Sequence, residues 1–362
     1  MKICFRVDAS IEIGTGHVMR CLTLAEFFKR KGHFCVFISR LREGHLNKLI
    51  TAKGFEILEL QTIDRQSEIY SIKHSNWLGV TKNSDIVETK NLITNRNLQF
   101  DWIIIDHYGI DRVWEDEIRE CIPKIMVVDD LADREHSCEI LLDQNYYRNR
   151  NQRYLNLVPD KCTLLLGPRY GLLRDEFIHL CDLPKPIRDN KAILVFYGGS
   201  DPTNETLKAL NSIKEIEKDN LIIHVVVGTT NPNRHLIEKE CNKYNYNYHY
   251  NIAYMAKLLH EVDVAICAGG SFTWERYCIG VPAITTAIAY NQIELCENVQ
   301  YLGIDNYIGV SERIKQEDIK NELMSFLKND NLYDLGETAK SITDGLGKNR
   351  VLEVLESTTN NN

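Results

Sequence analysis

The stretch Lys2-Ile3-Cys4-Phe5-Arg6-Val7, followed by Gly14-Thr15-Gly16-His17-Val18-Met19-Arg20, decides how the chain folds. Residues 3–7 are a short apolar run of strand length. Val18, Cys21, Leu22, Ala25 and Phe28 then recur at three-and-four spacing, which predicts an amphipathic helix stopped at Gly32. A glycine-rich turn between strand and helix is where α/β proteins hold phosphates, because unpaired backbone N–H groups and the helix dipole point there. Gly14 and Gly16 suit that role. A dinucleotide turn would need a third small residue, and Met19-Arg20 would crowd the helix against its strand. A nicotinamide cofactor is therefore rejected as the first choice, and no cofactor is expected. His17 and Arg20 instead put a base beside a phosphate site. A lone histidine at a helix start could carry no chemistry at all, but a purely structural turn seldom needs two glycines so close together.

Bulk properties set the class. The 362 residues fit two domains of ordinary size, and 44% hydrophobic residues suffice for a core. A formal charge of −8 argues against nucleic acid as the main partner, which would need a basic face. The 11 cysteines stand singly, with no C-x-x-C pair and no Cys/His grouping at zinc spacing. They read as reduced, small apolar residues of a cytoplasmic protein. No signal-peptide pattern precedes the first strand, and no apolar run approaches the roughly 18 residues of a membrane span. The expectation is a cytoplasmic, monomeric, two-domain protein.

Strand-like runs at 2–7, 35–39, 55–60, 102–106, 124–128, 139–142 and 163–166 alternate with helical stretches such as 112–121. Polar residues 62–97 are the least regular part and suggest an insertion with one or two helices. Two prolines within 184–190 mark a boundary. A second series follows, with strands at 192–197, 221–227, 246–249, 264–267 and 283–286. Helices are expected at 204–218, 233–244, 255–261, 272–279, 293–302 and 315–328. Short apolar strands separated by helices predict parallel sheets covered on both faces. The chain thus reads as α/β with two doubly wound lobes, 1–183 and 184–355, and a small polar tail, 356–362, expected to be disordered.

In the second lobe, Gly198-Gly199-Ser200-Asp201-Pro202 and Ala268-Gly269-Gly270-Ser271 are both strand–Gly–Gly–Ser–helix turns, the first with Thr203 or Asn204 as a helix cap. Each offers backbone donors and a hydroxyl to a phosphate, although such loops also end many strands with nothing bound. Ligands of open α/β sheets sit outside the strand carboxyl ends, so these two turns and the Gly14–Arg20 turn could converge on one cleft. Glu275 lies one helical turn beyond Ser271 and could accept ribose hydroxyls; alternatively it only complements the helix dipole. Asn291 and Gln292 suit sugar hydroxyls or acetamido groups, or ordinary capping. In the first lobe, Asp106-His107-Tyr108 and Asp129-Asp130 end strands and could line the cleft. Asp129, Asp130 and Asp133 lack an anchoring histidine at fixed spacing, which favours cap and loop roles over a metal.

Taken together, these residues resemble the PseG-type UDP-sugar hydrolases of the pseudaminic acid pathway. The resemblance rests on residues 3–10, on Gly14-Thr15-Gly16-His17 with Arg20, on Trp77-Leu78-Gly79, on Val127-Val128-Asp129-Asp130-Leu131-Ala132, on Leu142-Asp143-Gln144-Asn145 and on Leu166-Gly167-Pro168-Arg169-Tyr170. The two Gly–Gly–Ser turns, Trp274-Glu275 and Asn291-Gln292 extend it to about residue 305. Single pieces are shared with MurG-like glycosyltransferases. The resemblance implies a GT-B architecture of two Rossmann-like lobes with an interlobe cleft. It implies metal-independent, inverting hydrolysis of UDP-2,4-diacetamido-2,4,6-trideoxy-β-L-altropyranose. His17 would be the base, with Gly14, Gly16 and Arg20 contacting the substrate. Ser200, Gly270 and Ser271 would hold the diphosphate, Glu275 the ribose, Ile252 the uracil, and Asn291 and Gln292 would face the sugar. Phe272 departs from the family's usual small hydroxyl residue, and 304–355 carry little motif content.

A diphosphate is already a good leaving group, so a single base suffices where a glycosidase needs a second carboxyl group. The rivals are a GT-B glycosyltransferase that passes the sugar to an acceptor, a hydrolysing epimerase, and a non-catalytic nucleotide-sugar binder. The intact Gly-x-Gly-His turn weighs against the last.

Overall fold

The run Lys2–Val7 forms strand β1 of the computed structural model, which describes residues 1–61, 74–96, 98–186, 188, 190–216, 221–329 and 331–360. Ile3, Phe5 and Val7 enter one apolar cluster and Cys4 another, so β1 is covered on both faces. With β2 (Phe34–Arg40), β3 (Glu56–Leu60), β4 (Trp102–Asp106), β5 (Ile125–Val128), β6 (Ile140–Asp143) and β7 (Thr163–Leu166) it makes a parallel sheet of order β3-β2-β1-β4-β5-β6-β7. The helix Gly16–Arg30 buries Val18, Cys21, Leu22, Ala25 and Phe28 on this sheet, the face its spacing predicted.

A second parallel sheet repeats the plan. β8 (Lys191–Phe196), β9 (Leu221–Val227), β10 (Asn247–Tyr250), β11 (Val264–Ala268), β12 (Ala283–Ala287) and β13 (Asn306–Val310) take the order β10-β9-β8-β11-β12-β13. In each sheet the strand order reverses once, between β1 and β4 and between β8 and β11. Open α/β sheets take ligands outside the carboxyl ends of the strands at such a point. β13 was not expected from sequence: only Tyr307, Ile308 and Val310 are apolar, Gly309 interrupts them, and the pairing with β12 shifts register between Thr285 and Thr286.

The chain divides into two compact units. The first holds Met1–Asn145, Asn149–Leu172 and the chain from Gly347; the second holds Tyr146–Arg148 and Leu173–Leu346. The return of the C-terminus differs from the expected partition. Helix Gly347–Asn360 inserts Val351, Leu352 and Leu355 into the core of the first unit. Residues 356–360 continue that helix where a disordered tail was expected. The Trp102 indole donates to Thr359 Oγ1 at 2.8 Å, and Lys124 Nζ donates to the Thr358 carbonyl at 2.9 Å. A polar composition therefore sits on the outer end of an anchored amphipathic helix. Residues 361–362 lie outside the described residues, as do 62–73 and 97 of the irregular 62–97 stretch, 187 and 189 of the boundary segment, and 217–218 of the helix expected at 204–218. The described part of 62–97 carries the helix Lys82–Asn95, and Glu205–Ile213 is the helix of the 204–218 stretch.

Candidate functional site

Strand parity brings the first cluster together. Trp102 and Ile104 of β4 face the side covered by helix Gly16–Arg30, while Ile103 and Ile105 face the other. Asp106 shares the parity of Trp102, and β1 pairs with β4 so that Val7 stands beside Asp106. The Asp106 carboxylate therefore meets the start of the helix. Its Oδ1 lies 2.5 Å from His17 Nδ1. Arg20, one turn along, donates Nε to Oδ2 at 2.5 Å and Nη2 to Oδ1 at 2.6 Å, a two-pronged clamp. Cys21 Sγ stands 3.6 Å from Oδ2.

Asp106 is fully buried. Burial by itself pushes its carboxyl up, but Arg20 and then His17 overcome this and hold it well below the usual carboxylate range. An ionised carboxylate only accepts hydrogen bonds, so the hydrogen of a neutral His17 ring resides on Nδ1. The lone pair is then on Nε2, the arrangement of a general base with an orienting carboxylate. Aromatic rings surround the imidazole. Tyr108 meets it edge-on with centroids 4.6 Å apart, Trp77 does so at 6.0 Å, and Trp77 stacks on Tyr108 at 5.2 Å. The Tyr108 hydroxyl donates to Asp130, which also receives Arg20 Nη1 at 3.3 Å and Asn145 Nδ2 at 3.2 Å.

Gly14 makes the turn before this helix. Its φ of +80° suits glycine, and its N–H donates to the Ser10 carbonyl at 2.8 Å. Gly16 opens the helix, and the Thr15 side chain does not cap the leading N–H groups. Arg20, expected on the substrate, has its guanidinium engaged with Asp106 and Asp130. Asp129 is occupied too: it receives the Ala132 N–H at 2.9 Å and pairs with Arg134 at 2.8 Å, a loop-tying role.

The second unit holds the other expected residues. β8 and β11 are neighbours, with Phe196 opposite Cys267, so the two Gly–Gly–Ser turns leave adjacent strands. Phe272 meets Phe196 edge-to-face at 4.9 Å and packs one turn against the other, a role the usual small hydroxyl residue could not fill. Ser200 and Ser271 are exposed. Gly270 has a φ of +136°, and no atom lies within 4 Å of where a Cβ would stand. Ser271 leads helix Phe272–Ile279 with no side-chain cap on its amides. Asp201, not Thr203 or Asn204, caps helix Glu205–Ile213: its carboxylate accepts the Glu205 and Thr206 N–H groups at 2.8 and 3.0 Å. The left-handed backbone at Asp201 and Asn204 folds it back over the helix end.

Glu275 stands one turn beyond Ser271 with its side chain 23% exposed. Its partner is Arg174, 3.4 Å away, which also pairs with Glu176 at 2.7 Å. Burial raises the Glu275 carboxyl above its ordinary value, against the pull of Arg174. Ile252 follows β10, partly buried against the core of this unit. Asn291 is exposed at the start of helix Tyr290–Gln300. The Gln292 side chain turns back, its Oε1 accepting the Ile288 N–H at 3.0 Å just ahead of the helix.

Sequence reasoning placed Asp106 and Tyr108 at a strand end that could line the cleft without pairing either with His17, used Trp77 only as part of the resemblance, and gave no role to Arg174. The available signal was the shared parity of Asp106 and Trp102, together with the His17-x-x-Arg20 face. Among the described residues no group of three or more His, Cys, Asp or Glu side chains could hold a metal ion, and no helix is long and apolar enough to cross a membrane.

No family model matches the chain. Among curated proteins, it is 30% identical over 281 residues to the UDP-2,4-diacetamido-2,4,6-trideoxy-beta-L-altropyranose hydrolase of Campylobacter jejuni, covering 76% of this chain and 87% of that one. It is 27% identical over 295 residues to an uncharacterized protein of Methanocaldococcus jannaschii, covering 78% of this chain and 55% of that protein, so it spans about half the length of this relative. Among solved structures, MurG of Acinetobacter baumannii superposes with a TM-score of 0.64 at 14% identity, covering 98% of this chain and 99% of that one. The two-sheet α/β architecture is thus the GT-B fold.

Proposed function

The chain belongs to the family of the Campylobacter hydrolase, the PseG-like proteins of MurG-type GT-B fold, and from that premise we propose that it hydrolyses a UDP-sugar to UDP and the free sugar. The substrate we assign is UDP-2,4-diacetamido-2,4,6-trideoxy-β-L-altropyranose, cleaved with inversion at the anomeric carbon and without a metal. The observation that carries this reading is the 2.5 Å contact between His17 Nδ1 and an Asp106 carboxylate clamped by Arg20.

His17 Nε2 takes a proton from water as the water oxygen bonds to the anomeric carbon. The bond from that carbon to the diphosphate oxygen breaks, and the electron pair leaves with UDP. Asp106 holds the ring in its Nδ1–H tautomer and stabilises the imidazolium that forms. Backbone donors at Gly270 and Ser271, with the Ser200 hydroxyl, neutralise the growing charge on the diphosphate, as preorganised amides and helix N-termini do elsewhere. Glu275 accepts the ribose hydroxyls, Ile252 packs on uracil, and Asn291 faces the acetamido groups. Gln292 faces the sugar beside it, its Oε1 already accepting the Ile288 N–H.

The test is incubation of the UDP-sugar with the purified chain and no acceptor, with product anomers followed by NMR. Hydrolysis gives stoichiometric UDP and free sugar of inverted anomeric configuration. UDP release that waits for an added alcohol or lipid acceptor would mark a glycosyltransferase, and an altered configuration at C2 a hydrolysing epimerase.

A further inference from the structure

On the face of β1 opposite Val7, Arg6 is wholly buried; its Nη1 donates to Asp8 Oδ1 at 2.6 Å and its Nη2 to Asp85 Oδ2 at 2.8 Å. Arg40, the last residue of β2, donates Nη2 to the same Asp85 oxygen at 2.8 Å and its backbone N–H to Asp8 Oδ1 at 2.7 Å. The Trp114 indole donates to Asp85 Oδ1 at 2.9 Å. Four wholly buried charged side chains thus tie together the carboxyl ends of β1 and β2 and the helix Lys82–Asn95. Such networks are weak contributors to stability, because apolar side chains of the same volume often do as well or better. Arg6 and Asp8 belong to the opening motif, and the hydrolytic reading gives neither of them a task.

His107 connects this layer to the reacting groups. It shares the parity of Ile103 and Ile105, so its ring points away from Asp106 and into the layer. Its Nε2 lies 3.2 Å from Asp8 Oδ2, and its Nδ1 accepts the Gly109 N–H at 3.0 Å. Since Nδ1 accepts, the hydrogen of the neutral ring is on Nε2, the atom beside Asp8. The segment is tight: a Cβ at Gly109 would lie 2.9 Å from the His74 carbonyl and 3.0 Å from His107 Cε1. Hydrogen-bonded at Nδ1 by the Gly109 N–H and packed against Asp8 at Nε2, His107 fixes its two chain neighbours. Those neighbours are Asp106, which holds His17 Nδ1, and Tyr108, whose ring meets the imidazole edge-on.

We propose that His107, seated on the Arg6–Asp8–Asp85–Arg40 layer, is a positioning residue that sets Asp106 and Tyr108 against the His17 imidazole. It acts only through those neighbours, and a displacement of about 1 Å at a reacting group can cost about 10²-fold in rate. The inference rests on His17 being the base, and one arm of its test needs no substrate.

Three variants of the full chain decide it. His107→Asn keeps an acceptor for the Gly109 N–H, His107→Gln keeps a donor toward Asp8, and His107→Leu keeps neither. The substrate-free readout is the downfield proton resonance of His17 Nδ1–H, assigned by its loss in His17→Gln. The other readouts are kcat, KM and the affinity for UDP. We expect the resonance to move in all three, most in His107→Leu. We expect kcat to fall about tenfold in the amide variants and about 10²-fold in the leucine variant, with KM and UDP affinity within twofold of wild type. Should His107→Leu fail to fold, the two amide variants carry the comparison. The proposal is overturned if the resonance keeps its wild-type position in both, or if kcat falls only as far as UDP-binding capacity does. A wild-type chain that shows no hydrolysis while the resonance still moves would reject the hydrolase reading and leave the positioning role standing.

Discussion

Asp106 accepts the Nδ1–H of His17 at 2.5 Å, although 89 residues separate the two along the chain. The pair exists because β1 and β4 are neighbours at the point where the strand order reverses, and because Asp106 falls on the face covered by helix Gly16–Arg30, in whose first turn His17 lies. Arg20, on the same helix, closes both carboxylate oxygens.

Replacing the imidazole removes the base and little else. His17→Asn should lower kcat by about 10²–10⁴-fold, the range general-base assistance contributes. UDP affinity, measured calorimetrically, should stay within a few-fold of wild type. Turnover at the wild-type rate in this variant would remove His17 from the mechanism.

Asp106→Asn keeps the shape of the site and changes its chemistry. An amide can donate to Nδ1 and stabilise the tautomer whose lone pair faces inward. We expect kcat to drop by about 10²–10⁴-fold with KM little changed, as for orienting carboxylates elsewhere. A loss confined to KM would show that Asp106 serves binding and not the base.

Acid should unfold the first unit through its buried carboxylates. In Asp8, Asp85, Asp106 and Asp129 burial pushes the carboxyl up, but neighbouring Arg6, Arg40, Arg20 and Arg134 hold each one below its ordinary value. Their unfolded values lie near about 3.9, so below that pH the unfolded chain binds more protons than the folded one. Their stabilisation is present above about pH 5 and disappears as pH falls through the native values. Urea midpoints recorded from pH 7 to pH 3 should therefore decline below about pH 4. Asp106→Asn should be less stable than wild type at pH 7 and approach it as the pH drops. Parallel curves for the two proteins would contradict the assignment.

Glu275→Gln replaces a charged acceptor by a neutral one. A hydrogen bond to a charged group contributes about 1.5–3 kcal/mol, so UDP should bind roughly tenfold or more weakly. The same substitution should leave the affinity for 2′,3′-dideoxy-UDP nearly unchanged, because that ligand has no ribose hydroxyls to lose. Equal losses for both ligands would place Glu275 away from the ribose.

The last helix should matter to the first unit. Leu355→Ala empties a fully buried position in the cluster that contains Phe5, Val18 and Phe28. A truncation of this kind costs about 2–5 kcal/mol, read as a lowered urea midpoint. A midpoint within error of wild type would mean that helix Gly347–Asn360 is not part of that core.

Much of the architecture was legible because it is encoded locally. Continuous apolar runs announced buried parallel strands, and the spacing Val18, Cys21, Leu22, Ala25 and Phe28 announced the helix face. β13 was missed because Gly309 breaks its pattern. The helical state of 356–360 was missed because the Ser357–Thr359 composition carries no trace of the Trp102 indole that anchors it. The Asp201 cap was missed because it depends on left-handed backbone at Asp201 and Asn204, which favours no single partner in the sequence.

By itself the sequence determined the repeating strand–helix plan, the glycine turns at the ends of β1, β8 and β11, and the histidine at the head of a helix, since each depends on residues within about one turn of one another. Only the tertiary structure decided which carboxylate orients His17, why Arg20 is committed to Asp106 and Asp130, and that His107 faces a buried layer of Arg6, Asp8, Arg40 and Asp85. Those relationships depend on strand order and on which face of a strand each side chain takes. Both are set by long-range packing of the two apolar surfaces of the sheet, and no local stretch of the chain contains that information.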